Sequence, residues 1–500
     1  MVSFPPMSAS PTEPLAPLGE EAPRPNWAGT ELRSTLRFLA PPAVLAMMII
    51  LFGVKLPGWA LYGIGGVIGM ALFVHTLRDP EWLMASAIIY LPLNMMFVVP
   101  IGFGMNATNI LLLLLLLSWF RHGRTEPAVT EHGRVLRTPA TAVVGAYAVV
   151  TLLSVPTAVV TLGSEFVLNR ALDVKGWLDQ FIVFFAFMRL IRNGNMARRL
   201  VVYMMLGAVV VLILGFQEWL EKRGASSIEK SRLLGPQMQP NDFGAFLAYA
   251  STPYLALLLN NLRNLRAWAV AVPYLAIAAR VLLSTFSRGA YLGLGLAGVV
   301  AMFIRGKLFL VGVAILGLIL VVAVPEIVPE SLRARMAQTT SQQPSGGEKL
   351  DRSTETRLIL WNAALKMTAE SPVFGWGFKS FPSFKSQYTE MSVEEADNHN
   401  MYLYLSSQMG IPAVLLFGLI LWRMYSLGLR VYRAGREPFA RVIGMSAAAL
   451  AAGTFLVNMF GSRMVDICVT AYFWITLAVV ARLSMEIDAQ QPTESVGWMS

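Results

Sequence analysis

Fourteen apolar runs punctuate this chain, at about 37–53, 57–76, 82–99, 105–120, 139–162, 177–191, 200–217, 242–260, 267–285, 289–304, 307–324, 401–422, 442–459 and 467–484. A helix needs about 20 predominantly apolar residues to cross a bilayer. The runs are continuous in Leu, Ala and Val instead of alternating, so they predict helices and not the strands of a closed barrel. Only 14% of the residues are charged, against roughly a quarter in a soluble domain. The predicted fold is an all-α polytopic membrane protein with about fourteen transmembrane helices. Residues 1–36 are polar and Pro-rich and predict a disordered cytosolic tail. Spans one to eleven fill 37–324, a large loop covers 325–400, spans twelve to fourteen fill 401–484, and 485–500 form a second tail.

The formal net charge is +10. In a membrane chain that excess marks cytoplasmic connections and not a nucleic-acid surface. The basic residues of the short connections ("RLIRNGNMARR", "NLRNLR", "RGK", and Arg423 to Arg441) predict that both termini are cytosolic. The connections 218–241 and 325–400 then face outward. Trp59, Trp119, Trp177, Trp219 and Trp422 fall near span ends, where an interfacial belt is expected. Within the large loop, "TETRLILWNAALKM" repeats Leu358, Trp361 and Leu365 at helical spacing and predicts an amphipathic helix on the membrane or the bundle. The one cysteine, Cys468, excludes an intrachain disulfide.

Four histidines are present: His75, His122, His132 and His399. Only His399 falls on the outer side, after Asp397 and between Asn398 and Asn400, at the start of an apolar run. A carboxylate-oriented histidine open to water is the setting of a general base. The same polar residues also suit a helix cap. Outer-face arginines are the second signal: Arg232, Arg288, Arg357 and Arg463, with Arg280 inside the span before Arg288. Arginine keeps its charge and grips phosphate bidentately, whereas a single such arginine ordinarily snorkels to lipid headgroups. Glu394, Glu395 and Asp397 have the chemistry to ligate a divalent cation, but acids in a solvated loop are ordinarily just hydrated. No P-loop, Cys/His zinc spacing or Gly-x-Ser-x-Gly elbow is present.

Four stretches carry a resemblance: "RLLGPQMQPNDFGAFLAY", "FSRGAYLGLGLA", "TRLILWNAALKM…SPVFGWGFKSF" and "HNMYLYLSSQMGIPAVLLF". In that order, over roughly 230–425, they resemble the bacterial O-antigen ligase and polymerase family. That family includes O-antigen ligases, Wzy-type polysaccharide polymerases and protein O-oligosaccharyltransferases. The ligase pattern His-Asn, nine residues, Gly, two residues, Gly is met by His399, Asn400 and Gly410, but Ala413 stands at its last glycine. The resemblance implies a GT-C-like fold in the bacterial inner membrane, with the large loop and active site in the periplasm. It implies an undecaprenyl-pyrophosphate-linked glycan donor, a glycan, lipid or protein acceptor, inversion, and neither cofactor nor metal. A flippase and a chain-length regulator are the implied protein partners; nucleic acid is not one. By match of motif, His399 is the base. Arg288 and Arg232 would bind the pyrophosphate; Arg357 and Arg280 are further candidates for it, and Asp397, Asn400 and Asn241 would support the site. Ala413 and the number of spans favour a Wzy-type polymerase over a ligase. A polysaccharide flippase is the rival of another class, but no inverted repeat is visible and the charges gather at one face and not the midplane.

Overall fold

A computed structural model describes residues 79–96, 106–122, 139–224, 228–323, 340–342, 348–350, 352–389, 394–395, 397–435 and 437–490, with residue 74. The expected spans at 37–53 and 57–76, the tail 1–36, Trp59, His75 and His132 lie outside them, as does most of the second tail. The α-helices are α1 (Pro80–Tyr90), α2 (Ala107–His122), α3 (Pro139–Leu162), α4 (Ser164–Leu168), α5 (Ala171–Leu190), α6 (Gly194–Glu221), α7 (Ile228–Ser231), α8 (Pro240–Ala250), α9 (Thr252–Asn260), α10 (Leu265–Ser284), α11 (Arg288–Arg305), α12 (Lys307–Ala323), α13 (Arg352–Glu370), α14 (Phe381–Phe384), α15 (Met401–Met409), α16 (Ile411–Ala434), α17 (Pro438–Val457) and α18 (Ile467–Gln490). Two three-residue strands, Thr340–Gln342 and Glu348–Leu350, pair antiparallel in the large loop.

Among the described residues, eight helical stretches are long and apolar enough to cross a membrane: α3, α6, α8 with α9, α10, α11, α16, α17 and α18. The chain is a multi-pass helical membrane protein. The described apolar runs do not all become spans. The run at 82–99 yields α1, which at 11 residues reaches only about 16 Å, and then a 3₁₀ turn. Helix α5 carries Asp173, Lys175, Asp179 and Arg189 in its 20 residues. The run at 401–422 is two helices, not one span. Gly410 separates them at φ +85°, a conformation that disfavours any side chain, and a Cβ there would collide with the Val373 carbonyl.

Helix α18 is the axis of the bundle. Its apolar window is 94% buried, against 22% for α11, which faces outward. A helix that is apolar all round belongs in the middle of a bundle. Trp474 at its centre packs edge-on against Phe181 and Phe184 of α5. Gln180, also buried, accepts from Trp474 Nε1 (3.0 Å) and Thr470 Oγ1 (3.1 Å) and donates to the Val465 carbonyl (2.9 Å). A polar side chain at this depth is tolerated because both ends of its amide are satisfied.

Helices α11 and α17 approach closely. Ala290, Gly293, Ala297 and Ala301 form the buried stripe of α11. A Cβ on Gly293 would strike Val457, and one on Gly453 would lie 3.0 Å from the Gly293 carbonyl. Small residues at this spacing let membrane helices pack at near-backbone contact. The contact brings the start of α11 to the end of α17, where the candidate site lies.

The loop helix α13 packs on the bundle, though not by the face expected. Leu360, Ala363, Ala364 and Met367 are buried with Phe381, while Leu358 and Leu365 are exposed. Trp361 turns inward and donates Nε1 to the Asn398 carbonyl at 2.9 Å. Trp177 is likewise no belt residue. It is buried, stacks on Tyr404 of α15, meets Phe378 edge-on and donates to Thr151. Phe378 of the loop and Tyr404 of α15 meet at this side chain, so the loop is sewn into the bundle at that point. Trp422 remains exposed, as a belt requires.

A candidate active site at one pole of the bundle

The chain turns sharply between α10 and α11. Phe286 has φ +53°, Ser287 accepts the first helical hydrogen bonds of α11, and Arg288 is the first residue of that helix. Ser287, Arg288, Gly289 and Ala290 line one wall of a cavity of about 160 Å³. The first amides of an 18-residue helix carry partial positive charge and favour anions. Gly289 lies against Phe460, with only 2.9 Å between a built Cβ and that side chain, so the wall is tight.

The other walls bring in Arg232, Asn241, Arg357, His399 and Arg463. Arg232 reaches the cavity from the connection before α8. Its Nε donates to the Thr285 carbonyl (3.2 Å) and Nη2 to Asn241 Oδ1 (3.4 Å). The connection itself is clamped by Glu218 at the end of α6. That carboxylate accepts from the amides of Leu234 (3.0 Å) and Gly235 (2.8 Å) and from Lys222 Nζ (2.7 Å), and Lys222 in turn holds the Arg232 carbonyl at 2.8 Å.

Arg463 is 7% exposed and donates Nη1 to Asp242 Oδ1 at 2.6 Å. Its Nη2 is buried with no hydrogen-bond partner among the described residues. Its amide donates to Asn458 Oδ1 (3.1 Å), and Asn458, wholly buried, also donates to Tyr249 and to the Thr454 carbonyl. Neither Asn458 nor the Arg463–Asp242 pair was assigned a role from sequence. The pair joins residues 221 apart, and no local pattern announces such a partner.

His399 sits on a backbone held from three sides. Trp361 binds the carbonyl of Asn398, Asn398 Oδ1 accepts from the Asn400 amide (3.2 Å), and the Met401 amide donates to the Asn458 carbonyl (2.9 Å). These ties hold His399 at φ +54°, which non-glycine residues seldom adopt and which clusters at functional sites. Asn400 caps α15 through Oδ1, accepting from Tyr402 N (3.0 Å) and Leu403 N (3.2 Å). The cap reading and the base reading of "DNHN" are thus divided between neighbouring residues. His399 Nδ1 lies 3.4 Å from Asp397 Oδ2, and Ser462 donates to Asp397 Oδ1 at 2.8 Å. Burial would raise the Asp397 carboxyl, but the hydrogen bond and charge of His399, the Ser462 hydroxyl and the charge of Arg463 outweigh it and hold it below its ordinary value. Asp397 therefore stays ionised behind the imidazole. It is engaged there and not grouped with Glu394 and Glu395, which are exposed.

The structure thus brings Arg232, Arg288, Arg357, Asn241 and His399 to one cavity, with Asp397 and Asn400 behind His399. Arg280 is not among the lining residues. Its guanidinium lies 4.8 Å over the ring of Trp219. The spacing from Arg280 to Arg288 suggests a shared face only if one helix continues through both. The break at Phe286 re-aims everything after it.

Residues 273–418 match the family model described as O-Antigen ligase. Over that segment the chain is similar to the O-antigen ligase family. The matched segment runs from within α10 into α16 and carries Arg288, Arg357, Asp397, His399, Asn400 and Gly410. Arg232, Asn241 and Arg463 reach its cavity from outside the matched segment. No curated protein matches the chain.

Proposed function

We propose that the protein is an inverting, metal-independent glycosyltransferase of GT-C type. It polymerises undecaprenyl-pyrophosphate-linked repeat units, as a Wzy-type polymerase, at the periplasmic face of the inner membrane. The observation that carries this reading is the cavity in which one histidine, backed by a carboxylate, meets four arginines and a helix N-terminus. The orientation rests on charge. The pole opposite the cavity holds Arg198, Arg199, Arg263, Arg305, Arg433 and Arg441 at helix ends, the bias of a cytosolic face.

In the proposed reaction the Asp397 carboxylate, 3.4 Å from Nδ1, keeps the His399 proton on Nδ1, which leaves Nε2 as the base. Nε2 takes the proton of an acceptor hydroxyl as its oxygen attacks the anomeric carbon of the donor from the face opposite the pyrophosphate. The new C–O bond forms as the anomeric C–O bond to pyrophosphate breaks, and the lipid pyrophosphate leaves with the electron pair. Charge grows on the leaving oxygen, and pre-placed guanidinium groups stabilise it most where water is excluded. A positioned base typically contributes 10²–10⁴-fold.

The alternative within the family is ligation to lipid A core or to protein. The two share the donor site and differ in acceptor. Purified protein in nanodiscs, given lipid-linked repeat units alone, is expected to yield a ladder of longer lipid-linked products. Transfer only when lipid A core or an acceptor protein is added would identify a ligase instead. Passage of the donor across vesicles without new glycosidic bonds would identify a flippase.

A further inference from the structure

A second cavity, of about 250 Å³, lies at the same pole and takes no part in the chemistry above. Its polar lining includes Asn94, Asn106, Asn109, Lys175, Asp179 and Asp466. Lys175 donates to Asp179 (2.5 Å) and to Asn109, and Asn106 Oδ1 accepts from the Asn109 amide (2.9 Å). Asn94 is 9% exposed, and its Oδ1 is buried with no hydrogen-bond partner among the described residues. A buried acceptor without a donor is a cost that a hydroxyl group would relieve.

The two cavities differ in charge. The first is lined by four arginines and no carboxylate. The second has one lysine and two aspartates, one net negative charge, which disfavours a phosphate. Amide groups both donate and accept, and carboxylates accept, so the set suits a neutral ligand rich in hydroxyls.

The cavities share a wall. The connection between α17 and α18 places Phe460 and Arg463 in the first and Val465 and Asp466 in the second. Asp466 is the third residue after Arg463, so their Cα atoms are no more than about 11 Å apart. The wall is held from both sides: by Ser462 on Asp397 and by Gln180 on the Val465 carbonyl.

We infer that the second cavity is a subsite for neutral sugar residues of the glycan whose reacting end occupies the arginine cavity. The inference rests on the glycosyl-transfer reading and adds the ligand class of a site that reading does not use. The shared wall then sets the distance between the pyrophosphate or attacking hydroxyl and the sugars held beyond it.

The test uses the full chain in nanodiscs and two probes. Inorganic pyrophosphate reports the arginine cavity. The repeat-unit oligosaccharide of the source strain, released by mild acid and freed of lipid and phosphate, reports the second. Calorimetry on wild type, Asn94→Leu, Asp466→Asn and Arg288→Ala gives the affinities. Asn94→Leu is expected to weaken the oligosaccharide about tenfold, the worth of a lost buried hydrogen bond, and Asp466→Asn to weaken it severalfold, both leaving pyrophosphate unchanged. Arg288→Ala is expected to do the reverse. Asp466 is exposed at the mouth, so its variant reports even if Asn94→Leu fails to fold. Oligosaccharide that fails to bind wild type, or binds both cavity variants as tightly as wild type, overturns the inference, and retained pyrophosphate binding shows that the proposed function survives it. Oligosaccharide binding lost in the cavity variants, with no pyrophosphate binding by wild type, would sink the arginine-cavity reading and leave the sugar site standing.

Discussion

His399 and Asp397 stand two residues apart and do different work, and substitution separates them. Asp397 has its carboxyl pK lowered in the folded protein, so its ionised form stabilises the fold at neutral pH. That contribution is complete above the ordinary carboxylate value of about 3.9 and fades as pH falls through the lower, folded value. The difference in melting temperature between wild type and Asp397→Asn is therefore expected to be full at pH 7 and to shrink below about pH 4. A difference that does not change with pH would contradict the assignment. Arg288→Ala is expected to weaken donor binding roughly ten- to a hundredfold, since a charge-assisted hydrogen bond is worth about 1.5–3 kcal/mol. Arg288→Lys recovers only part, because a point charge does not replace a bidentate fork. Titration with inorganic pyrophosphate measures both. These residues were legible in the sequence because each stands in a short local motif. Arg463 was visible as an outer arginine, but its partner Asp242 comes from another helix, and contact across the bundle leaves no mark on either neighbourhood.

Among elements, the connections carry the site and the helices set their positions. The end of α6 holds the Arg232 segment through one carboxylate, Glu218. Glu218→Gln keeps the shape but weakens the acceptor for two amides and the Lys222 ammonium. It is expected to raise the Kd for pyrophosphate severalfold while leaving the rate of transfer at saturating donor near wild type. A fall in that rate with Kd unchanged would show that Glu218 acts some other way. Gly410 is the sharper case. A methyl group there meets the Val373 carbonyl in a backbone conformation already unfavourable to it, so Gly410→Ala is expected to lower the melting temperature and transfer together. The sequence pattern marked Gly410 but not its purpose. An unbroken apolar run reads as a single span, and only the left-handed turn divides it into α15 and α16. The face of α13 was misread for a related reason. Its apolar residues surround the helix, so periodicity alone did not choose between Leu358 with Leu365 and Leu360 with Met367.

For the whole molecule, the segregation of charge and cavity to opposite poles predicts an orientation in the membrane. The chain has one cysteine, Cys468, and it is buried, so introduced cysteines are read against a low background. Leu365→Cys, exposed on α13 at the cavity pole, is expected to react with an impermeant maleimide in intact spheroplasts. Leu265→Cys, exposed at the opposite pole, is expected to react only after permeabilisation. The inverse pattern would turn the molecule over and place the arginine cavity in the cytosol. Membrane character was plain from composition because apolar length is a direct requirement of the bilayer. The number of spanning helices was less so, because a buried core helix such as α1 is as apolar as a spanning one.

In the proposed mechanism His399 removes the acceptor proton in a cavity that binds the donor through its arginines. Single-turnover transfer from a lipid-pyrophosphate glycan, followed for wild type and His399→Ala in nanodiscs together with pyrophosphate affinity, tests it most directly. The alanine variant is expected to fold, to bind pyrophosphate as wild type does, and to transfer at least about a hundredfold more slowly. Transfer at the wild-type rate by a folded His399→Ala protein would contradict it.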